Sequence, residues 1–181
     1  MRGINMKMGL FLRAFWRGSL SLAIVAAFVG PANAGDPSED GPLYSVSVGV
    51  FDTVQLEDEG LEGRVEYRHD KGLSILKPFG GFMLNDDSAA HVYAGVLIDW
   101  YATDNFVITP SIAPGLYMKG QSKDLGYLFQ FRSQIEFAWR FDGGTRLGVS
   151  LNHISNAGFG TQNPGSESVA LSLIMPVKYW W

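Results

Sequence analysis

Residues 126–141 read GYLFQFRSQIEFAWRF and alternate strictly between two kinds of side chain. The odd positions are almost all aromatic or aliphatic, whereas the even positions are mostly polar or charged. A period of two residues is typical of a β-strand whose two faces lie in different surroundings. A soluble β-sandwich and a membrane barrel both provide such surroundings, so the alternation by itself leaves these two architectures open.

The length of this stretch favours the membrane barrel. Strands of soluble proteins usually have about five or six residues, whereas a tilted strand that crosses a membrane needs about nine to eleven. Residues 61–70 repeat the alternation, with Glu62, Arg64, Glu66 and Arg68 on one side. Because these charges alternate in sign, they suit the polar interior of a small barrel, where they can pair across the lumen.

Alternating segments of this kind recur along the chain. We count eight of them, at residues 43–51, 61–70, 75–84, 89–101, 105–118, 126–141, 145–155 and 167–180. Longer polar connections mostly alternate with short turns, as in outer-membrane barrels whose two termini are periplasmic. We therefore predict an all-β fold, an eight-stranded antiparallel transmembrane β-barrel.

The N-terminal region has the three parts of a secretory signal peptide. Basic residues precede the apolar run LSLAIVAAFVG, and the small-residue sequence ANA follows at 32–34. We expect residues 1–34 to be this signal and residues 35–181 to form the barrel in the bacterial outer membrane. The chain ends KYWW, and an aromatic C terminus is typical of such barrels. A net charge of −4 with scattered signs gives no basic surface for nucleic acid.

The segment HISNAGFGTQNPGSE, residues 153–167, places polar residues on the predicted outer wall. Counting by twos from the apolar outward positions of the seventh segment leads to His153 and Ser155. Counting back by two from Val169 in the eighth segment leads to Glu167. Polar groups on the lipid face are costly, although less so near the interface. All three residues are therefore expected to meet at the external end of the last hairpin.

These residue types can form a hydrolytic site. A serine hydroxyl becomes a nucleophile when an imidazole takes its proton, and an acid beside the imidazole orients it. Asn156, Asn163 and the loop N–H groups near Gly158 are candidate oxyanion donors. A histidine and serine two residues apart are also common by chance as ordinary polar residues at a strand end. The shared face and hairpin adjacency of three residues argue against this alternative.

The run HISNAG, with Asn163 and Glu167 after it, resembles the active-site region of the lipid A 3-O-deacylase family, of the PagL type. The resemblance implies an eight-stranded barrel that removes the ester-linked 3-hydroxyacyl chain at position 3 of lipid A without a metal. It also implies that His153 is the base, Ser155 the nucleophile, Glu167 the orienting acid and Asn163 an oxyanion donor, with Asn156 in a supporting role.

Two other functions remain open at this point. One is a non-catalytic barrel for adhesion or membrane stabilisation, and the other is an outer-membrane phospholipase or acyltransferase. We expect lipid A or lipopolysaccharide as substrate, outer-membrane lipids as surroundings, and neither cofactor nor metal. The sequence leaves open whether the barrel is a monomer or a homodimer. Three lysines, Lys77, Lys119 and Lys123, are candidates for contact with lipid phosphates, and the last two are in a predicted external loop.

Overall fold

A computed structural model describes residues 40–55 and 59–177. The strands in these ranges are β1 (Leu43–Phe51), β2 (Gly60–Arg68), β3 (Lys77–Asn85), β4 (Ala90–Leu97), β5 (Trp100–Tyr101), β6 (Phe106–Met118), β7 (Phe129–Arg140), β8 (Arg146–Ser155) and β9 (Ser166–Pro176). The predicted signal peptide and the aromatic C terminus lie outside the described residues, so the division at residue 34 stays a prediction.

The strands close into a ring through antiparallel pairs. Each strand pairs with the next along the chain, except that β4 and β5 lie end to end and both pair with β6. The pairing of β1 with β9 completes the ring. Because β4 and β5 share one position, eight strand positions surround the lumen, and the predicted barrel is confirmed. Among the described residues, no helix has the length and apolar character needed to cross a membrane.

The predicted segment 89–101 is interrupted, which is a correction to the sequence analysis. The break falls between β4 and β5, opposite Pro110 of β6. Proline has no N–H to donate to a strand ladder, so regular pairing stops there. Ile98 still donates its N–H to the Pro110 carbonyl at 3.1 Å. The side chain of Asp99 is buried at this break.

Two other strands begin later than the alternation predicted. β7 begins at Phe129 rather than at residue 126, because Gly126 adopts a φ of +78° that ends the preceding loop. β3 begins at Lys77 rather than at residue 75, and Leu73 and Leu76 form an isolated bridge in the turn before it. In both places the alternation in the sequence therefore extends beyond the residues that pair in the sheet.

The faces of the strands follow the predicted parity. In β8 the side chains of Leu147, Val149 and Leu151 are exposed on the outer wall. The intervening Ser150 and Asn152 are buried inside the barrel. Large apolar side chains are exposed in the same way on the other long strands, as an outer-membrane barrel requires where it meets lipid.

Charged residues fill the lumen as ion pairs. Arg68 bonds to Glu66 at 2.9 Å and to Glu136 at 2.8 Å. Nearer the other end, Arg146 bonds to Asp40 at 2.8 Å and to Asp99 at 3.0 Å. All of these side chains are almost fully buried, so their opposite charges offset much of the cost of leaving water.

Arg146 joins two carboxylates, and its replacement by methionine should destabilise the barrel by about 3–5 kcal/mol, because both Asp40 and Asp99 lose a buried counter-charge. Burial alone would raise the pKa of Asp40, but the guanidinium groups of Arg140 and Arg146 lower it below its ordinary value. The temperature at which the folded band is lost in a gel-shift assay measures the effect. Replacing the partly exposed Arg140 with methionine should destabilise the barrel less than replacing Arg146. Equal destabilisation by the two substitutions would contradict this ranking.

The strand connections differ between the two ends of the barrel. Of the described residues, one end carries 52–55, 59, 86–89, 119–128 and 156–165, and the other carries 69–76, 102–105 and 141–145. In outer-membrane barrels the longer loops are extracellular and the shorter turns are periplasmic. We therefore call the end with loop 156–165 the external end.

Candidate active site

The β8–β9 hairpin places His153 directly opposite Glu167. The imidazole Nδ1 lies 3.1 Å from Oε1 of Glu167. An ionised carboxylate only accepts hydrogen bonds, so Nδ1 donates and the neutral ring has its lone pair on Nε2. Within the part of the chain that the structure describes, Nε2 is buried and has no hydrogen-bond partner. The pair therefore presents a basic nitrogen that is already oriented by an acid.

Ser155 ends β8 two residues after His153, on the same outward face, and is 8% exposed. Its cross-strand partner on β7 is Phe131. Phe159, from the loop after Ser155, stacks on Phe131 with ring centroids 6.1 Å apart. Phe159 itself is 67% exposed. The serine therefore lies beside an aromatic surface on the lipid-facing wall, where an acyl chain could pack.

A second serine was missed by the sequence analysis. Ser133 of β7 is the direct partner of His153 and is almost fully buried. His153 thus lies between Glu167 on one neighbouring strand and Ser133 on the other. The signal was present, because Ser133 interrupts the aromatic face of residues 126–141. Its position beside His153 depends on the register of β7 against β8, which the pattern within the β8–β9 hairpin does not contain.

Asn156 organises the loop that follows Ser155. Its Nδ2 donates to the carbonyl oxygens of Leu125 at 2.9 Å and of Gln162 at 2.6 Å. Its Oδ1 accepts the N–H of Gly158 at 2.9 Å. Gly158 has a φ of +85°, a conformation that suits glycine. Both residues therefore act within the loop, and their contacts hold it in shape beside Ser155.

Asn163 and Gly165 approach the site from the far side of the loop. The Oδ1 of Asn163 accepts the backbone N–H of Asn156 at 3.0 Å, which orients the Asn163 amide and does not use its NH₂ group. Gly165 has a φ of +67°, and a Cβ there would lie 3.1 Å from Cε1 of His153. A side chain at position 165 would therefore crowd the imidazole and strain the backbone.

The three lysines proposed for lipid phosphates behave differently from one another. Lys77 is buried and bonds to Asp99 at 2.9 Å, and Lys123 is buried with Asp52 at 2.7 Å. Their burial removes both from contact with headgroups, which corrects the prediction. Lys119 is exposed and bonds to Asp124 at 2.8 Å, which lowers the pKa of that carboxyl. Loop position alone could not show that a lysine turns inward.

The comparison with protein families decides the family. The model of lipid A 3-O-deacylase (PagL) matches residues 80–176, which is more than half of the chain and includes all of loop 156–165. The chain belongs to this family. The PagL family is one of lipid A deacylases, which are hydrolases, so the predicted resemblance and the enzyme class at family level are confirmed.

Solved structures support the same fold. The crystal structure of the outer membrane enzyme PagL has a TM-score of 0.59 and 22% identity, covering 74% of this chain and 99% of that chain. Neisserial surface protein A has a TM-score of 0.56 and 8% identity, covering 75% of this chain and 95% of its own. Among curated proteins, none matches significantly. The PagL family and the barrel together confirm the predicted location in the bacterial outer membrane.

Proposed function

We propose that this PagL-family chain is a serine esterase that hydrolyses the ester-linked 3-hydroxyacyl chain at position 3 of lipid A. The observation that carries the proposal is the His153–Glu167 contact of 3.1 Å on the lipid-facing wall, with Ser155 on the same face. In this proposal Ser155 is the nucleophile, His153 the general base and Glu167 the acid that orients the imidazole.

The reaction proceeds in two halves. The Oγ of Ser155 attacks the ester carbonyl carbon while Nε2 of His153 takes the hydroxyl proton. The tetrahedral intermediate then collapses, the sugar oxygen leaves with the proton from His153, and the acyl group stays on Ser155. Water, activated by the same imidazole, releases the 3-hydroxy fatty acid and restores the serine. A hydrogen bond from Oγ of Ser155 to Nε2 of His153 is expected to form when substrate binds, because such catalytic hydrogen bonds are often long or poorly aligned before that.

Asn163 is the proposed oxyanion donor. Its Oδ1 already accepts the N–H of Asn156, so the NH₂ group of the same amide is the part that can donate to the developing oxyanion. Asn156 and Gly158 support this role by fixing the loop between Ser155 and Asn163. A donor held in place before the reaction costs no reorganisation when the charge develops.

The position of the site defines the route of the substrate. Because the proposed triad lies on the outer wall at the external end, a lipid of the outer leaflet can reach it without entering the filled lumen. Phe131 and Phe159 lie beside Ser155 and give the scissile acyl chain an apolar surface. The sugar headgroup remains at the interface, where water for the second half-reaction is available.

Purified protein in detergent micelles, supplied with lipopolysaccharide, tests the proposal. The expected product is free 3-hydroxy fatty acid, with lipid A that has lost one ester-linked chain. A parallel reaction with phospholipid alone separates the rival phospholipase or acyltransferase. Fatty acid released from phospholipid but not from lipopolysaccharide would support that rival, and no release from either would support the non-catalytic barrel.

Removal of calcium should leave hydrolysis of a short-chain soluble ester within about twofold of its original rate. In the proposal the nucleophile is activated by an imidazole, and among residues 40–55 and 59–177 no three His, Asp or Glu side chains are grouped to hold a metal ion. The measurement compares initial rates with and without chelator, using the soluble ester so that cations bridging lipopolysaccharide play no part. Activity lost in chelator and restored by calcium would contradict the prediction.

A further inference from the structure

A buried ion pair joins two external loops close to the proposed triad. Asp52 follows β1 directly, has a φ of +55° and is fully buried. Lys123 reaches it from loop 119–128, with Nζ 2.7 Å from Oδ1 of Asp52. The sequence positions are far apart, so the pair fixes loop 119–128 against the end of β1.

The Asp52 side of this pair holds the backbone around Glu167. The hydroxyl of Ser166 donates to Oδ1 of Asp52 at 3.3 Å, and Ser166 is the residue just before Glu167. The next residue after Asp52, Thr53, donates its N–H to the carbonyl oxygen of Glu167 at 2.9 Å. A shift of Asp52 would therefore be transmitted to the strand end that carries the carboxylate.

The Lys123 side of the pair reaches the loop beside the imidazole. The same Nζ donates to Oε1 of Gln55 at 2.8 Å, and Nε2 of Gln55 donates to the carbonyl oxygen of Pro164 at 2.8 Å. Pro164 precedes Gly165, where a Cβ would lie 3.1 Å from Cε1 of His153. The ammonium group of Lys123 therefore contacts two residues. Asp52 holds the backbone around Glu167, and Gln55 bonds to the loop beside the His153 ring.

We propose that Lys123 is a positioning residue for the triad, which it holds in register through Asp52 and Gln55. This inference rests on the proposed function. A buried charge depends strongly on its counter-charge, so loss of the ammonium should move Asp52 and the chain around it. Small displacements of reacting groups reduce rates steeply, by about 100-fold for 1 Å.

The test replaces Lys123 with methionine and, separately, with arginine, in the full-length protein. Lys119→Met is the matched control, since Lys119 lies in the same loop but its ammonium group is exposed and bonds to the exposed carboxylate of Asp124. For the soluble ester, K123M should lower kcat roughly 10- to 100-fold with little change in KM. The rate at which a fluorophosphonate labels the serine should fall in parallel. K123R should recover most of the wild-type kcat, and K119M should keep the wild-type kcat.

Folding is followed by the heat-dependent gel shift of each variant. If K123M does not fold, the variant Gln55→Leu tests the inference instead. It keeps the ion pair between Lys123 and Asp52 but removes the contact with Pro164. It should also lower kcat and the labelling rate. Wild-type kcat in folded K123M, or in Q55L when K123M fails to fold, would overturn the inference. Ser155→Ala separates the two proposals: activity in that variant removes Ser155 as the nucleophile, whereas its inactivity beside a fully active K123M overturns only the role of Lys123.

Discussion

Replacing Ser155 with alanine is expected to reduce ester hydrolysis roughly a million-fold, to the level left when a serine hydrolase loses its nucleophile. Alanine has no hydroxyl to form the acyl-enzyme, and the His153–Glu167 pair cannot replace it in that step. Ser155 lies at the end of β8, so the barrel should still fold. Initial rates with a soluble ester, together with the heat-dependent gel shift, measure activity and folding separately.

Ser133→Ala is the matched control for this prediction. Both serines belong to the outer wall next to His153, but Ser133 is its cross-strand neighbour whereas Ser155 follows it along β8. Ser133→Ala should retain activity within about tenfold, since in the proposed mechanism it is not the nucleophile. Loss of activity in S133A with survival in S155A would transfer the nucleophile to Ser133.

Replacing Glu167 with glutamine should lower kcat by roughly 10⁴-fold. The glutamine amide can donate to Nδ1 of His153, which places the ring proton on Nε2 and prevents that nitrogen from accepting the proton of Ser155. The two side chains have nearly the same shape, so packing at the end of β9 should be preserved. The variant is compared with wild type in the same kinetic assay. A loss smaller than tenfold would show that the carboxylate does not set the tautomer.

The faces of the barrel could be predicted from sequence because each depends on a local rule. Alternation by two placed Leu151 outward and Asn152 inward, and the same rule brought His153 and Glu167 to one face. The hairpin connection then made them neighbours, and the structure gives their contact as 3.1 Å. When a long strand lies between lipid and a polar lumen, a shift by one residue would place every side chain in the wrong surroundings, so the inward and outward positions are well determined.

The remaining features depend on contacts that no local pattern contains. The break at Asp99 follows from Pro110 on the neighbouring strand, which alternation within residues 89–101 cannot reveal. Lys123 looks like an ordinary loop lysine until Asp52, far away in the sequence, is found beside it. Ser133 is a similar case, because its position opposite His153 depends on the register of β7 against β8.

Mass spectrometry of lipid A gives the most direct test of the central claim, that Ser155 on the outer wall deacylates lipid A of the surrounding leaflet. Lipid A is extracted from cells of one host strain that produce the wild-type protein, S155A or neither, with equal amounts of folded barrel in the outer membrane. We predict that lipid A from wild-type cells lacks one 3-hydroxyacyl chain, and that S155A cells match the empty host. Lipid A of unchanged mass in wild-type cells, or equal deacylation in S155A cells, would contradict the account.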